Sequence, residues 1–370
     1  MKIIAYYLPQ FHTFKENDLW WGKGFTEWVN VKRATPIFKG HLQPKIPLDN
    51  NYYNLLSAET LEWQIKIAKE YGIYGFCWYH YWFDGKLLME KPMEMMLENK
   101  QLKFPFCISW ANENWTKQWV DKNKEVLIEQ NYLDSKKWVE HFYYLLPFFK
   151  DERYIKIDGK PLFIIYKPEL IPTLRKMISC WLELAKQNGL EGITFAYQNE
   201  KYDHRSAENG ILFDYGIEYQ PAYTKYYHHV HTIKSIVHKI ANEFVRKIGI
   251  KQTLFSTIHY IYDEVWDNIL KEKPRDEKMF PGAFVNWDNT PRYKRGASVY
   301  IGYSAEKFQK YLSEQIKNAK IRYKKDIIFI FAWNEWGEGG YLEPDTNEGY
   351  KRLEAVKKAL VENDEFPIEE

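Results

Sequence analysis

Short apolar runs alternate with longer segments of helical periodicity along this chain of 370 residues. Each run is rich in β-branched and aromatic residues and has the length of a buried strand. The eight runs are Lys2–Tyr7, Ile73–Tyr79, Phe104–Trp110, Leu162–Tyr166, Ile193–Tyr197, Leu212–Ile217, Gly282–Trp287 and Ile327–Ala332. Strands that are apolar throughout and alternate with helices are typical of a parallel sheet covered by helices. The pattern therefore predicts an α/β fold, a closed (β/α)8 TIM barrel.

The predicted barrel accounts for most of the chain as one domain, because such barrels routinely run past about 250 residues. We expect this domain to span residues 1–361 and to be followed by an acidic C-terminal tail, residues 362–370. Residues 219–280, between the sixth and seventh strands, are too long for a simple crossover and are interpreted as a helical insertion. The insertion is either a lid or subsite wall, or extra packing or a dimer contact.

Charge and hydropathy narrow the classes of partner. Lys and Arg number 52 against 50 Asp and Glu, so the formal net charge of +2 supplies no broad basic field for nucleic acid or an anionic membrane. No run of about 18 apolar residues predicts a membrane span. The first residues read as a strand rather than as a secretory signal, which predicts a cytoplasmic location. We expect a neutral or small partner.

Polar and aromatic residues follow every predicted strand, where barrel active sites lie. Examples are Gln10, His12, His80, Tyr81, Asn112, Glu113, Trp115, Glu218, Asp288 and Asn334. A single polar residue in such a loop is most often merely solvated. Interleaving with Trp and Tyr, however, favours carbohydrate, which needs hydrogen-bonding edges and apolar ring faces together.

Glu335 and Glu338 form the strongest local signal, in the Gly-containing segment Phe331–Pro344. If the turn is helical, residues three apart have Cβ atoms about 5–6 Å apart. That approaches the roughly 5–5.5 Å carboxyl separation of retaining glycosidases. Close carboxylates also tend to split their pKa values, which leaves one protonated as an acid. The spacing is equally compatible with two solvated loop glutamates.

No metal site or other cofactor is predicted. His228, His229 and His231 lie in the long insertion without a carboxylate or cysteine in ligand spacing, so surface or packing roles are favoured. A Gly-rich phosphate loop is also missing from the sequence, because Gly22 and Gly24 lie in an aromatic stretch.

Several motifs resemble glycoside hydrolase family 99, the endo-α-mannosidases, and the whole chain resembles the WbsX-type proteins more specifically. The motifs are Ala5–His12, Trp20–Gly22, Gly24–Trp28, Phe76–Phe83, Trp110–Trp115, Trp287–Arg292 and Asn334–Glu338. WbsX-type proteins are a family-99-like group often associated with polysaccharide biosynthesis. The resemblance implies a carbohydrate substrate and a barrel fold.

The resemblance also implies roles for the two glutamates. Glu335 corresponds to the carboxylate that pulls on the sugar 2-hydroxyl, and Glu338 corresponds to the acid/base. The 2-oxygen then attacks its own anomeric carbon, and water opens the 1,2-anhydro sugar with net retention. An axial 2-hydroxyl, as in mannose or rhamnose, suits this geometry. The segment Tyr7–His12 departs from the mannosidase pattern, which leaves the identity of the sugar open.

Sixteen further residues are predicted to bind substrate. They are Tyr7, Gln10, His12, Trp28, Tyr79, His80, Tyr81, Trp110, Asn112, Glu113, Trp115, Glu218, Trp287, Asp288, Asn334 and Trp336. Glu113 belongs to an Asn-Glu pair that resembles the acid/base of another barrel clan. There the pair follows the fourth strand, whereas here it follows the third, so substrate binding is favoured for Glu113.

Three functions follow from these observations. The leading one is a retaining glycoside hydrolase or transglycosylase acting on a mannose- or deoxyhexose-containing polysaccharide. The second is a glycosyltransferase of O-antigen or other surface-polysaccharide assembly, although an Asp-x-Asp metal pair or diphosphate site is not evident in the sequence. The third is a barrel that binds carbohydrate without reaction.

Overall fold

The eight predicted runs form the parallel strands of a barrel. A computed structural model describes residues 1–116, 126–201, 213–228, 257–293 and 296–367. The strands are β1 (Lys2–Tyr7), β2 (Ile73–Phe83), β3 (Phe106–Trp110), β4 (Lys160–Ile165), β5 (Thr194–Asn199), β6 (Tyr215–Glu218), β7 in two pieces (Met279–Phe280 and Gly282–Phe284) and β8 (Ile327–Phe331). Each strand pairs in parallel with the next, and β8 pairs with β1. The predicted TIM barrel is confirmed.

The seventh strand changes partners part-way along its length. Met279–Phe280 pairs with β6, and Gly282–Phe284 pairs with β8. Pro281 separates the two pieces because it has no N–H for the ladder, while its carbonyl accepts from Phe329 N at 3.2 Å. At Gly282 an added Cβ would lie 1.8 Å from the carbonyl oxygen of Glu218, so only glycine permits this close approach.

Ten helices surround the barrel in the described ranges. They are α1 (Lys15–Trp21), α2 (Glu27–Arg33), α3 (Ala58–Glu70), α4 (Lys91–Glu98), α5 (Ser135–Phe149), α6 (Leu174–Gln187), α7 (Ala222–Tyr227), α8 (Tyr262–Lys271), α9 (Ala305–Asn318) and α10 (Lys351–Val361). Ser57 caps α3 by accepting from Thr60 N at 3.3 Å, and Ser304 caps α9 in the same way. None of the helices in these ranges is long and apolar enough to cross a membrane.

The predicted insertion between β6 and β7 is partly described. It contains α7, the short strand Ile258–Ile261 and α8. The strand pairs in parallel with Ser298–Ile301, and Trp266 of α8 stacks on Phe284 of β7, with 5.3 Å between the ring centroids. The helical stretch predicted around residues 233–245 lies outside the described residues. The described helix α8 packs against the barrel wall.

Candidate active site

A hairpin directly after β8 holds the two glutamates. Asn334–Glu335 pairs antiparallel with Gly340–Tyr341, and residues Trp336–Glu338 between them form a 3-10 turn. Gly339 closes the turn with a φ of 68°, which is a favourable conformation for glycine. The carbonyl of Glu338 accepts from Asp288 N at 2.7 Å, which fixes the turn to the loop after β7. The turn is therefore helical, and it is anchored at both sides.

A cavity of about 330 Å³ opens at the carboxyl ends of the strands. Its volume lies at the lower end of the roughly 300–1,000 Å³ that is typical of small-molecule sites. The lining residues are Leu8, Gln10, Tyr79, Tyr81, Ala111, Glu113, Asn114, Trp115, Thr116, Tyr166, Lys167, Tyr219, Arg292, Tyr293, Phe331, Glu335 and Glu338. Five tyrosines and one tryptophan line it together with carboxylates, amides and two cations.

Arg292 contacts three glutamates with its three guanidinium nitrogens. Its Nε donates to Glu27 Oε1 at 2.8 Å. One terminal nitrogen lies 2.9 Å from Glu335 Oε1, and the other lies 3.1 Å from Glu338 Oε1. The contact to Glu335 is an ion pair without the alignment of a hydrogen bond. One rigid guanidinium thus holds both predicted catalytic carboxylates on the same side of the cavity.

The ionisation of this cluster departs from that of free side chains. Burial raises the pKa of Glu335 to about 8, and the neighbouring Glu338 adds to the rise, whereas Arg292 opposes it. Burial also raises the pKa of Glu338, again against the effect of Arg292. Burial by itself lowers the pKa of Arg292, but the three glutamates outweigh it and raise the pKa well above its usual value. The guanidinium stays charged, and the carboxyl pair retains a proton more readily than a solvated pair.

A second charged group lines the cavity beyond the ends of β3 and β4. Lys167 Nζ donates to Glu113 at 2.5 Å, and Tyr166 donates to Glu200 at 2.9 Å. Burial alone lowers the pKa of Lys167, but the nearby carboxylates Glu113 and Glu200 raise it overall. Burial raises the pKa of Glu200. Glu113 is thus an ion-paired carboxylate, which agrees better with a binding role than with that of an acid.

Aromatic side chains complete the cavity wall. Tyr79 and Tyr219 share a hydrogen bond of 2.8 Å between their hydroxyls. Trp115 stands edge-on to Tyr81 at 5.3 Å and is stacked with Trp20 at 6.3 Å between ring centroids. These rings are held by one another, so they offer preformed apolar faces to a ligand in the cavity.

Seven of the predicted site residues line the cavity together: Gln10, Tyr79, Tyr81, Glu113, Trp115, Glu335 and Glu338. The other eleven do not line it: Tyr7, His12, Trp28, His80, Trp110, Asn112, Glu218, Trp287, Asp288, Asn334 and Trp336. All of these except Trp287 are buried. Most of these side chains instead make hydrogen bonds to neighbouring parts of the barrel and its loops.

The partners of those eleven residues explain their placement. Several bind backbone: Asn112 to Lys167, Asn334 to Leu8, Trp28 to Tyr53 and Trp110 to Trp82. Others bind side chains: Tyr7 to Gln64, His80 to His141, Glu218 to Tyr323, Trp287 to Ser298, Asp288 to His41 and Trp336 to Glu343. His12 is buried beside Phe14. Polar residues near strand ends therefore hold the loops in place as well as lining the cavity.

Several cavity residues were not among the predicted site residues. Arg292 belongs to one of the motifs, and Lys167 follows the fourth strand directly, so the sequence did contain a signal for both. Glu27, which belongs to another motif, does not line the cavity but binds Arg292. Tyr219 follows the sixth predicted run together with Glu218, so it carried the same signal. Tyr166 offered none, because it ends an apolar run that does not reveal which face points inward. Of the three histidines of the insertion, His228 contacts Glu272, and residues 229 and 231 lie outside the described ranges.

Comparison of the sequence with known protein families identifies the family of this chain. A profile of the family described as Glycosyltransferase WbsX matches residues 3–356. The chain belongs to the WbsX family. Proteins named WxcX from two strains of Xanthomonas campestris pv. campestris are each 33% identical to this WbsX-family chain over 364 residues. The matches cover 97% of the chain and 49% of each relative, so the chain spans about half the length of the curated relatives it matches.

Solved structures share the fold of this WbsX-family chain. The family 99 endo-α-mannosidase from Bacteroides thetaiotaomicron has a TM-score of 0.56 at 14% identity, covering 98% of this chain and 96% of that chain. A glycoside hydrolase-like protein also has a TM-score of 0.56, at 12% identity, covering 100% of this chain and 94% of that chain. At these identities the likeness concerns the fold. The resemblance to WbsX-type proteins and to the family 99 barrel is confirmed.

Proposed function

We propose that this WbsX-family chain breaks or transfers glycosidic bonds with net retention, and that Glu335 and Glu338 are its catalytic carboxylates. The observation that carries the proposal is the shared contact of both carboxylates with Arg292 at the cavity. Two acidic groups side by side over a cavity ringed by tyrosines suit acid/base work on a sugar.

The proposed reaction proceeds in two steps. In the first step Glu335 takes the proton of the sugar 2-hydroxyl, O2 bonds to C1, the bond from C1 to the leaving oxygen breaks, and Glu338 protonates that oxygen. In the second step Glu338 takes a proton from water, the water oxygen bonds to C1, the bond between C1 and O2 breaks, and Glu335 returns the proton to O2. An acceptor hydroxyl in place of water gives transfer. Two inversions at C1 leave the configuration retained.

This chemistry requires one proton on the carboxyl pair before the sugar reacts. Because the two groups share Arg292, they titrate as a pair rather than independently. Their raised pKa values keep that proton bound near neutral pH. In the proposed complex the 2-hydroxyl donates to Glu335, which then carries the negative charge, and the proton resides on Glu338. The assignment of these two roles rests on the resemblance to family 99.

The proposed substrate is a polysaccharide that contains mannose or a deoxyhexose such as rhamnose. An axial 2-hydroxyl lies on the side of the ring from which O2 reaches C1 as the leaving group departs. One of the similar solved structures is named an endo-α-mannosidase, which supports a mannose-like sugar here.

Turnover of defined glycans by charge-neutral variants tests the proposal. Wild-type protein, Glu335→Gln and Glu338→Gln are assayed on aryl α-mannosides and α-rhamnosides and on bacterial surface polysaccharides that contain these sugars. Glu62→Gln, at an exposed position of α3, is the matched control. We expect turnover by the wild type and the control, and a loss of at least about 100-fold in each site variant, with sugar binding retained. Undiminished turnover by either site variant refutes its assignment.

A glycosyltransferase is the second candidate, because the WbsX family is described as a glycosyltransferase family. Parallel assays with GDP-mannose or dTDP-rhamnose and a glycan acceptor measure the release of nucleoside diphosphate. Release that depends on Glu335 and Glu338 favours this function over hydrolysis. Binding of glycans by wild-type protein without either reaction favours a third function, a carbohydrate-binding barrel.

A further inference from the structure

The third carboxylate on Arg292 lies outside the cavity lining. Glu27 is the first residue of α2, and only 2% of its surface is exposed. Its Oε1 accepts from Arg292 Nε at 2.8 Å, and Asn30 Nδ2 lies 3.3 Å from its Oε2. Its backbone N–H donates to the carbonyl of Gln10 at 3.4 Å. Glu27 is therefore held in place by contacts with three residues, and it does not line the cavity where a substrate would bind.

The turn that carries the catalytic pair is shaped around this carboxylate. A Cβ at position 337 would lie 2.3 Å from Glu27 Oε1 and 2.6 Å from Arg292 Nε. Gly337 sits between the two predicted catalytic residues, so the absence of a side chain lets the Glu27–Arg292 pair pack directly against the turn. The pair and the turn form one unit.

The charges in this unit do not balance. Three carboxylates surround one guanidinium, and all four side chains are largely or wholly removed from water. Full ionisation of the carboxylates would leave a net charge of −2 in a poorly solvated place, which is strongly unfavourable. The negative charge of Glu27 offsets much of the positive charge of Arg292. The guanidinium then cannot neutralise both Glu335 and Glu338. The cheapest response is to keep one proton on the catalytic pair.

We propose that Glu27 is a positioning residue that, through Arg292, keeps the shared proton on the Glu335–Glu338 pair. The effect of Glu27 on catalysis rests on the proposed function, whereas its effect on the shared proton does not. Without the charge of Glu27, Arg292 stabilises both catalytic carboxylates, and the pair loses its proton at a lower pH. The acid for the first step is then missing at neutral pH. The negative charge of Glu27 also acts to raise the pKa of both Glu335 and Glu338, in agreement with this role.

Within the described ranges, the ion pair of Lys167 and Glu113 lines the same cavity, and Tyr81 and Glu200 act on the catalytic pair itself. Tyr81, from β2, faces Glu335, and burial raises its pKa, so it stays neutral. Glu200, beyond β5, acts on Glu338 with the same sign as Glu27 but is hydrogen-bonded to Tyr166. On α2, Lys32 and Arg33 are exposed, and Lys32 Nζ lies 3.8 Å from the centroid of the Tyr52 ring. Glu27 is thus the carboxylate placed to offset the positive charge that Arg292 presents to the catalytic pair.

The test is a pH titration of Glu27→Gln, which removes the charge but keeps an oxygen for Arg292 Nε. In kcat/KM against pH, the alkaline limb of the variant is expected to move down by about one unit or more, while activity on the acidic side stays near that of wild type. Glu62→Gln is the control and leaves the profile unchanged. A uniform loss at every pH means that Glu27 is merely structural and overturns the proposal.

A spectroscopic titration keeps this test separate from the proposed function. The infrared band of the protonated carboxyl in the pair is assigned by its loss in Glu335→Gln or Glu338→Gln and is then titrated in wild type, Glu27→Gln and Glu27→Asp. We expect the band to disappear at lower pH in Glu27→Gln, with a smaller shift in Glu27→Asp, which serves if the first variant folds poorly. An unchanged midpoint overturns the inference. Absence of turnover with a shifted midpoint refutes the proposed function alone.

Discussion

The side-chain amide of Asn334 makes two hydrogen bonds to the backbone of Leu8. Its Oδ1 accepts from Leu8 N at 2.8 Å, and its Nδ2 donates to Leu8 O at 3.0 Å. The two residues follow β8 and β1, which are neighbours in the barrel. The pair therefore ties the loop after β1 to the hairpin and fixes the point from which Glu335 projects.

Replacement of Asn334 by alanine leaves two buried backbone groups of Leu8 without partners. Each such group costs about 1–3 kcal/mol, so we expect a clear fall in the free energy of unfolding together with a loss of turnover. Chemical denaturation measures the first and a glycoside assay the second. Asn347→Ala, at an exposed position of the following loop, is the control and changes stability by no more than about 0.5 kcal/mol. Equal effects of the two substitutions contradict the role of Asn334.

Gly337→Ala is expected to reduce turnover more than stability. The new methyl group would meet Glu27 and Arg292 and push the guanidinium away from the catalytic pair. Displacement of a positioning group by about 1 Å costs roughly 100-fold in rate. Gly189→Ala is the contrasting control, because its φ of 80° makes alanine strained while nothing lies within 4 Å of the added Cβ. Gly189→Ala should lower the free energy of unfolding and leave turnover unchanged. If Gly337→Ala lowers stability but not turnover, the turn does not depend on its packing against Glu27 and Arg292.

Trp115→Ala removes an aromatic face from the cavity wall. Loss of one ring contact costs about 0.5–1.5 kcal/mol, so KM should rise between about twofold and tenfold with little change in kcat. Steady-state kinetics on a glycan separates the two parameters. Trp63→Ala, on α3 and outside the cavity lining, should leave both unchanged. A loss in kcat alone would contradict a role for Trp115 in substrate binding.

Stability should depend on pH through Glu218, which is buried beneath the helix layer and accepts from Tyr323 at 2.7 Å. Burial raises its pKa to about 8, above the value of about 4.3 for an unfolded chain. Its contribution to stability is complete below the unfolded pKa, declines as the pH rises, and is lost once the pH passes about 8. Glu218→Gln, which stays neutral, should therefore gain stability over wild type from pH 5 to pH 9.

Thermal unfolding across that pH range checks the prediction. Glu62→Gln is the control, because an exposed carboxylate has no comparable burial to relieve. A melting-temperature difference between Glu218→Gln and wild type that does not grow with pH would show that Glu218 is charged in the folded protein.

The barrel could be predicted from the sequence because its strands are buried on both faces. Their apolar runs therefore stand out without any alternation, and each predicted run corresponds to a strand. The ends of the strands differ from the prediction. The described part of the sixth strand begins at Tyr215, with Leu212 outside the described residues, and Met279–Phe280 precedes the predicted start of the seventh. A two-residue piece before a proline is too short to carry a pattern.

The turn that holds the two proposed catalytic glutamates was also visible, because Glu335 and Glu338 are close together in sequence. The network around them was not. Glu27 and Arg292 are 265 residues apart, and nothing in their local sequence indicates that they form an ion pair. The same continuous burial that reveals the strands conceals which face of each points inward, so Tyr166, at the end of the fourth run, could not be assigned to the cavity.

Proton NMR of the first-formed product tests most directly whether Glu335 and Glu338 carry out a retaining reaction. An α-linked substrate found in the glycan screen is digested, and the anomeric signal is followed before mutarotation, with Glu338→Gln as the comparison. The α-anomer must appear first with wild-type protein and must not form with the variant. Initial release of the β-anomer, or an undiminished rate in Glu338→Gln, contradicts the proposed chemistry of the pair.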